Sequence, residues 1–229
     1  IVRDSEGNVV YEADGTPKKM ALFFDNETLA PYNNYEFRGG DAIYEDVNHD
    51  GTINQLDIVY LGNSNPAAQG GFGLSFRYKK WSLKADFTYR LDVDVVNSAR
   101  MSFENMSTFD NQSIAVNWRW RKEGDITEIP RAVNGSSNAY NYLGSDRYVE
   151  DASYVRLSYL QLSYSFNPEL LKKVGIKSLN MYASVDNVFF WTRYTGLDPE
   201  IAVGGGGIAY DGSKTPRSRS YTLSLSLGF

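Results

Sequence analysis

The closing stretch Tyr221–Phe229 constrains the fold more than any other part of this sequence. Tyr221, Leu223, Leu225, Leu227 and Phe229 alternate with Thr222, Ser224, Ser226 and Gly228. A period of two places the first set on one face of a strand and the second on the other. The apolar face ends in an aromatic ring, and the opposite face is small and polar without being charged. A strand with lipid on one side and a wet or packed interior on the other has this pattern. A soluble sandwich strand can share the alternation, but it rarely ends the chain on a Phe.

Four further runs repeat the rhythm. Phe72–Tyr78 sets Phe72, Leu74 and Phe76 against Gly73, Ser75 and Arg77, and Trp81–Tyr89 sets Trp81, Leu83, Ala85, Phe87 and Tyr89 against Ser82, Lys84, Asp86 and Thr88. Val155–Phe166 alternates cleanly from Leu160 onward, and its phase shifts near Tyr159–Leu160, which predicts a bulge. Leu179–Phe190 carries Met181, Ala183 and Val185 on one face. These lengths suit tilted membrane strands of roughly 9–11 residues.

The connections alternate in length. Lys79–Lys80 is a tight turn, and 167–178 is a modest link with room for one helical turn. Residues 91–152 and 191–218 are long, polar and rich in Gly, Asn and Ser. Short periplasmic turns and long external loops are the outer-membrane arrangement, and soluble domains seldom carry loops of this length. The segment before Gly70 reads as a further external loop.

Composition agrees. With 4 Trp, 17 Tyr and 12 Phe the chain is well supplied with rings for a membrane interface. No run approaches the roughly 18 apolar residues of a spanning helix. The mean hydropathy is negative, which a barrel permits because half of each strand faces inward. A net charge of -5 and the lack of a basic stripe argue against nucleic acid as a partner. The absence of Cys removes thiol chemistry. Five strands fall short of the roughly eight of the smallest closed membrane barrels, and an open edge in lipid leaves backbone groups unpaired. The fold expected is therefore all-β: about five C-terminal strands of a larger transmembrane antiparallel barrel.

Asp46-Val-Asn48-His-Asp50-Gly51-Thr52-Ile-Asn54-Gln-Leu-Asp57 matches the spacing of a twelve-residue calcium loop. Asp46, Asn48, Asp50 and Asp57 supply side-chain oxygens, Thr52 its carbonyl, and Asn54 a further group at position 9. Asp in place of Glu at position 12 shortens the bidentate reach. The flanks, GDAIYE and IVYLG, read as strands rather than helices. The expectation is a structural Ca²⁺ site of weak affinity, about 10⁻⁴ to 10⁻³ M; the alternative is a hydrated Asx-turn loop without metal.

Asp46–Gly51, Gly62–Pro66, Gly70–Gly73, Ser145–Tyr154, Asp186–Glu200 and the closing strand occur in the order seen in SusC/RagA-like TonB-dependent outer-membrane transporters of Bacteroidetes, which the chain resembles from about residue 40 to its end. Asn105–Arg131 resembles that family's external loop ahead of its Asp-Arg-Tyr segment. The resemblance implies a barrel of roughly 22 strands around an N-terminal plug, of which residues 1–229 are the C-terminal portion. In that reading 1–69 is an external loop holding 46–57, and 70–229 are membrane strands and loops. The plug, the TonB box and a signal peptide would lie upstream. It also implies a SusD-like surface lipoprotein, energy from TonB–ExbB–ExbD, outer-membrane lipid around the barrel, and a glycan or peptide ligand.

An enzyme is not expected. A hydrolase would need a nucleophile with a His base, and His49, the only histidine, sits at position 4 of the calcium-like loop, where it is expected to point outward. The carboxylate pairs Glu150–Asp151 and Asp198/Glu200 read as solvated or turn-forming, and the Gly204–Gly207 run reads as a flexible loop tip. Trp118, Trp120, Tyr140, Tyr142, Trp191, Tyr194 and Tyr210 lie in or beside the long loops. Of these Trp118, Trp120, Tyr140, Trp191 and Tyr194 are candidates to touch ligand or lid, with girdle or loop-core packing as the plainer role. Lys84, Asp86, Thr88 and Arg90 would face the ligand path or the plug. The function expected is nutrient import. The alternatives are a non-transporting scaffold barrel of the same lineage and a soluble calcium-stabilised β-sandwich adhesin.

Overall fold

The computed structural model describes residues 2–4, 6–18, 21–22, 35–134, 140–173, 175–204 and 207–229. They fall into two compact units, one of residues 1–61 with 100–145 and the other of 62–99 with 146–229.

The second unit is built on five strands: β1 (Ala68–Tyr78), β2 (Trp81–Leu91), β3 (Tyr154–Ser165), β4 (Ser178–Thr192) and β5 (Ser220–Gly228). Each pairs antiparallel with the next in sequence, a simple meander. Lys79 turns β1 into β2 with a left-handed φ of 54°. The link from β3 to β4 does contain one helical turn, Pro168–Lys172, capped by the Asn167 side chain and started by Pro168.

Register fixes the two faces. Phe76 pairs with Leu83, Leu83 with Leu162, Leu162 with Ala183, and Ala183 with Leu223, so one apolar row crosses all five strands. The row beside it runs Ser75, Lys84, Gln161, Ser184 and Thr222 and is polar throughout. The apolar face stands open: Phe76 is 66% exposed, Leu223 70% and Leu225 62%. A soluble sandwich buries such a face under a second sheet about 10 Å away, and among the described residues no second sheet lies over it. Ring pairs stand at both ends of this face, where an interfacial belt places Trp and Tyr, and Phe72 and Phe87 stack at 4.8 Å midway along β1 and β2. Trp81 and Tyr164 meet at 4.6 Å near the short turns, and Phe189 and Trp191 at 5.0 Å near the long loops.

The expected bulge is present one residue earlier than the phase shift suggested. Asp86 pairs with Tyr159 but Phe87 with Leu157, leaving Ser158 over. β4 answers with its own extra residue, since Leu157 pairs with Phe189 and Tyr159 with Asp186; Asn187 lies there with φ 52°.

Among the described residues of the first unit regular structure is scarce. Thr52–Ile53 runs parallel to Ala21–Leu22, which runs antiparallel to Tyr35–Glu36. The segments around 46–57 are not strands, contrary to their composition. Residues 42–46 have no regular structure, and Gln55–Asp57 forms a 3-10 turn followed by irregular chain. Their apolar residues lack neighbours to extend a ladder: Ile58 is 77% exposed. The Gly204–Gly207 run lies partly outside the described residues.

Candidate functional site

The polar face of the sheet is the surface with chemistry to offer. The alternation that sends Leu83 and Ala85 outward sends Lys84 and Asp86 to the other side. Lys84 Nζ lies 2.8 Å from the Asp86 carboxylate and 5.6 Å from the centre of the Tyr159 ring. Tyr159 donates its hydroxyl hydrogen to Gln161 Oε1, and the Thr88 and Ser158 hydroxyls meet at 3.1 Å. Lys84, Asp86 and Thr88 therefore stand on one face, as their spacing implies. Lys84 and Thr88 are exposed and Asp86 only half-buried, so each contact is worth well under the energy of a dry pair.

Nearer the long loops the same face is closed by a dense ionic knot centred on Arg156, which is 1% exposed. Its guanidinium donates to Asn187 Oδ1 and Asp198 Oδ1, and its Nε lies 3.6 Å from Glu200. That last separation is an ion pair rather than a hydrogen bond. The Phe190 ring lies 4.9 Å from the guanidinium carbon. Glu200 is shared with Arg217 at 2.6 Å. Asn187 bonds the Arg217 carbonyl, and Arg219 Nε donates to the Asn187 carbonyl. Arg90 reaches the Ile201 carbonyl at 3.2 Å. The bulge at Asn187 thus lets one side chain serve both Arg156 and the 193–219 segment. Asp198 and Glu200 are not the solvated loop carboxylates that sequence suggested. They neutralise a buried cation 42 and 44 residues away, and Asp198 also accepts from the Glu200 amide.

Beyond the knot the loops fold on themselves. Asp94–Val96 pairs antiparallel with Val149–Asp151, and Val96 bridges Tyr210 in parallel. Val93, Val95, Ala152, Tyr194, Ile201 and Ala209 form their core. Glu150 accepts from Asn97 Nδ2 and from the Thr195 amide and hydroxyl, so it too is structural. Tyr194 is buried and donates to Asp211. Burial first, and then that bond, raise its phenol above the ordinary tyrosine range. Tyr194 is consequently packing rather than ligand surface. Trp191 stands on the apolar face, opposite Val155 and against Phe189; its parity puts it in the outer aromatic belt.

The remaining sequence candidates lie in the other unit. Trp120 packs on a turn at Gly40, where φ is 83° and a Cβ would fall 2.3 Å from the indole. Trp118 is exposed on the 3-10 turn Ile114–Trp118. The Tyr140 carbonyl accepts from Tyr44. Asp41, its side chain buried, pairs with Arg131 at 2.6 Å and accepts from Asn141, a cluster that sequence spacing could not reveal because Asp41 lies 90 and 100 residues from these partners.

The loop 46–57 has the backbone a cation loop needs. His49 and Gly51, positions 4 and 6, have φ of 58° and 86°. Thr52–Ile53 is extended, and Asn54 at position 9 caps Gln55–Asp57, its own amide donating in return to the Asp57 carboxylate. Asp46 accepts from the Asp50 and Gly51 amides, Asn48 from Asp50, Asp50 from Thr52, and Asp57 from Val47. The all-oxygen donor set fits a hard cation. Among the described residues, though, no three carboxylates or imidazoles are gathered into one cluster; the carboxylates turn to their own amides.

No family model matches the chain. It is 30% identical over 205 residues to TonB-dependent receptor P39 of Formosa agariphila, which covers 86% of this chain and 20% of that protein. It is 29% identical over 195 residues to the TonB-dependent receptor SusC of Bacteroides thetaiotaomicron, covering 82% and 18%. Among solved structures it superposes on the RagAB peptide importer in its closed-closed state with a TM-score of 0.65 at 24% identity, covering 94% of this chain and 23% of that one. The open-open state gives 0.64 at 22% identity, with 92% and 22% covered. The chain spans about a fifth of the length of the curated relatives it matches.

Proposed function

Because this chain belongs to the SusC/RagA-like TonB-dependent receptors of the outer membrane and corresponds to C-terminal strands of their barrel, we propose that it forms part of the wall of a nutrient import path. The family is one of receptors and not of enzymes. The cargo in this reading is an oligomer, a glycan or a peptide fragment, delivered with a SusD-like surface lipoprotein and moved inward by TonB-dependent rearrangement of a plug. The observation that carries the reading is the continuous polar face from Ser75 to Thr222, backed by an apolar face open to lipid. Hydroxyl, amide and paired charged groups suit a hydrated, neutral-to-zwitterionic oligomer, with bonds that can exchange for water. The relation to RagAB, named a peptide importer, leaves peptide and glycan both in play.

Uptake of labelled oligosaccharides and oligopeptides by cells lacking the receptor, and by cells complemented with it, tests this directly. Receptor-dependent uptake of one class, together with a lipoprotein that co-purifies, is the expected result. A receptor that supports neither would leave the scaffold alternative standing.

We further propose that 46–57 takes one structural Ca²⁺ through Asp46, Asn48, Asp50, Asp57 and the Thr52 carbonyl. The support is the oxygen-only donor set on a backbone with left-handed turns at positions 4 and 6. Chelation would then lower the thermal midpoint of the receptor and added Ca²⁺ restore it, with Asp50→Asn insensitive to both. Equal midpoints with and without chelator would remove the metal.

A further inference from the structure

The two short turns of the second unit carry a charge bias opposite to that of the whole chain. Overall the sequence has 23 Lys and Arg against 28 Asp and Glu, yet the turns 79–80 and 166–177 hold five lysines and one acid, Glu169. Register brings these turns side by side on one rim. Lys80 lies beside the end of β3, where its carbonyl accepts from Ser165, and Lys177 lies beside β5, its amide donating to Gly228. With neighbouring strands about 4.8 Å apart, the lysines span roughly 15–20 Å of that rim.

They also sit at the edge of the lipid-facing side. Lys79 Nζ stands 5.2 Å from the centre of the Tyr78 ring, an apolar-face ring that pairs with Trp81. Lys177 has the parity of Leu179, Met181 and Ala183. Lys172 and Lys173 project from the helical turn Pro168–Lys172 and its cap, and all five side chains are exposed. None of the ion pairs among the described residues involves them, whereas Lys84, on the polar face, is paired to Asp86. Long basic side chains at the end of an apolar band keep their stems along it and hold their charge at headgroup depth. A cluster of this size at that depth selects anionic headgroups.

We propose that Lys79, Lys80, Lys172, Lys173 and Lys177 form a site for the phosphates of anionic glycerophospholipids in the periplasmic leaflet, which fixes the depth of this sector of the barrel. The site rests on the outer-membrane placement of the chain and not on any cargo, and transport does not enter its test.

The intact receptor, extracted from outer membranes, is reconstituted into nanodiscs of mixed phosphatidylglycerol and phosphatidylethanolamine. The lipids that stay bound after transfer to detergent are then counted by native mass spectrometry. The wild type should retain phosphatidylglycerol preferentially. Substituting all five lysines by Gln should cut that preference at least about tenfold, and 1 M salt should weaken it in the wild type. Arg193→Gln with Lys214→Gln, on the segment at the opposite end of the strands, should leave it unchanged. Heat-modifiable gel migration confirms that each variant keeps its barrel. Equal preference in the five-Gln and wild-type proteins, or no preference in the wild type, overturns the proposal. So does unchanged lipid retention coupled to lost crosslinks with a periplasmic protein, which would assign the lysines to a protein partner.

Discussion

The two faces of the sheet are made by the same strands, yet they hold themselves in different ways. On the apolar face Leu74, Phe76, Leu223 and Leu225 have no covering layer in the described structure, and their order comes from alternation and ladder register alone. On the polar face side chains hold one another: Lys84 with Asp86, Tyr159 with Gln161, and Arg156 with Asn187, Asp198 and Glu200. The first face needs only a solvent of the right kind. The second needs partners at specific places, some of them 40 residues distant.

Removing a partner on the polar face should therefore do the most damage. Arg156→Ala leaves Asp198 and Glu200 without their buried cation and is expected to cost about 3–5 kcal/mol, concentrated in the 193–219 segment. Limited trypsin digestion at Lys214 and Arg217 in intact membranes reads it as faster cleavage, and Arg156→Met combined with Asp198→Asn and Glu200→Gln should recover much of the protection.

A charge placed on each face in turn sharpens the contrast. Leu225→Arg meets lipid and should destabilise the barrel by about 2–4 kcal/mol. Ser224→Arg, one residue away, points to the polar side and should cost far less. Comparable losses in urea unfolding would mean that the faces are not what their parity says.

The smallest expected effect is in the loop core beyond the knot. Tyr194→Phe removes the bond to Asp211 and should cost about 1–3 kcal/mol. Because the folded state holds the Tyr194 proton more tightly than the unfolded chain, stability from this group is constant below the ordinary tyrosine pKa of about 10 and falls as pH rises above it. Alkaline loosening of the 194–211 segment, followed by amide exchange, should be reduced in Tyr194→Phe.

What could be read from sequence follows the same division. All five strands, the Lys79–Lys80 turn, the helical turn after Pro168 and the bulge in β3 were legible because period, turn residues and phase are local signals. The Arg156 knot was not, because nothing near Arg156 in sequence announces Asp198 or Glu200. Their place near a loop gives Trp191 and Tyr194 the same sequence reading, contact with ligand or lid. Strand parity assigns the first to the belt, and tertiary burial, which no local pattern encodes, assigns the second to the loop core. The strands expected on either side of 46–57 failed for want of pairing partners, although their residues favour strands.

The most direct test of the two-faced wall is site-directed spin labelling of its last strand, which has no cysteine of its own. Single cysteines introduced at 222 to 227 of the intact receptor, with any cysteine elsewhere in it replaced by Ser, would carry a spin label in the membrane, and collision with oxygen and with a water-soluble nickel complex would be measured at each. Positions 223, 225 and 227 should favour oxygen and positions 222, 224 and 226 nickel, with a period of two. A uniform profile, or the opposite phase, would contradict the assignment of lipid to one face and the import path to the other.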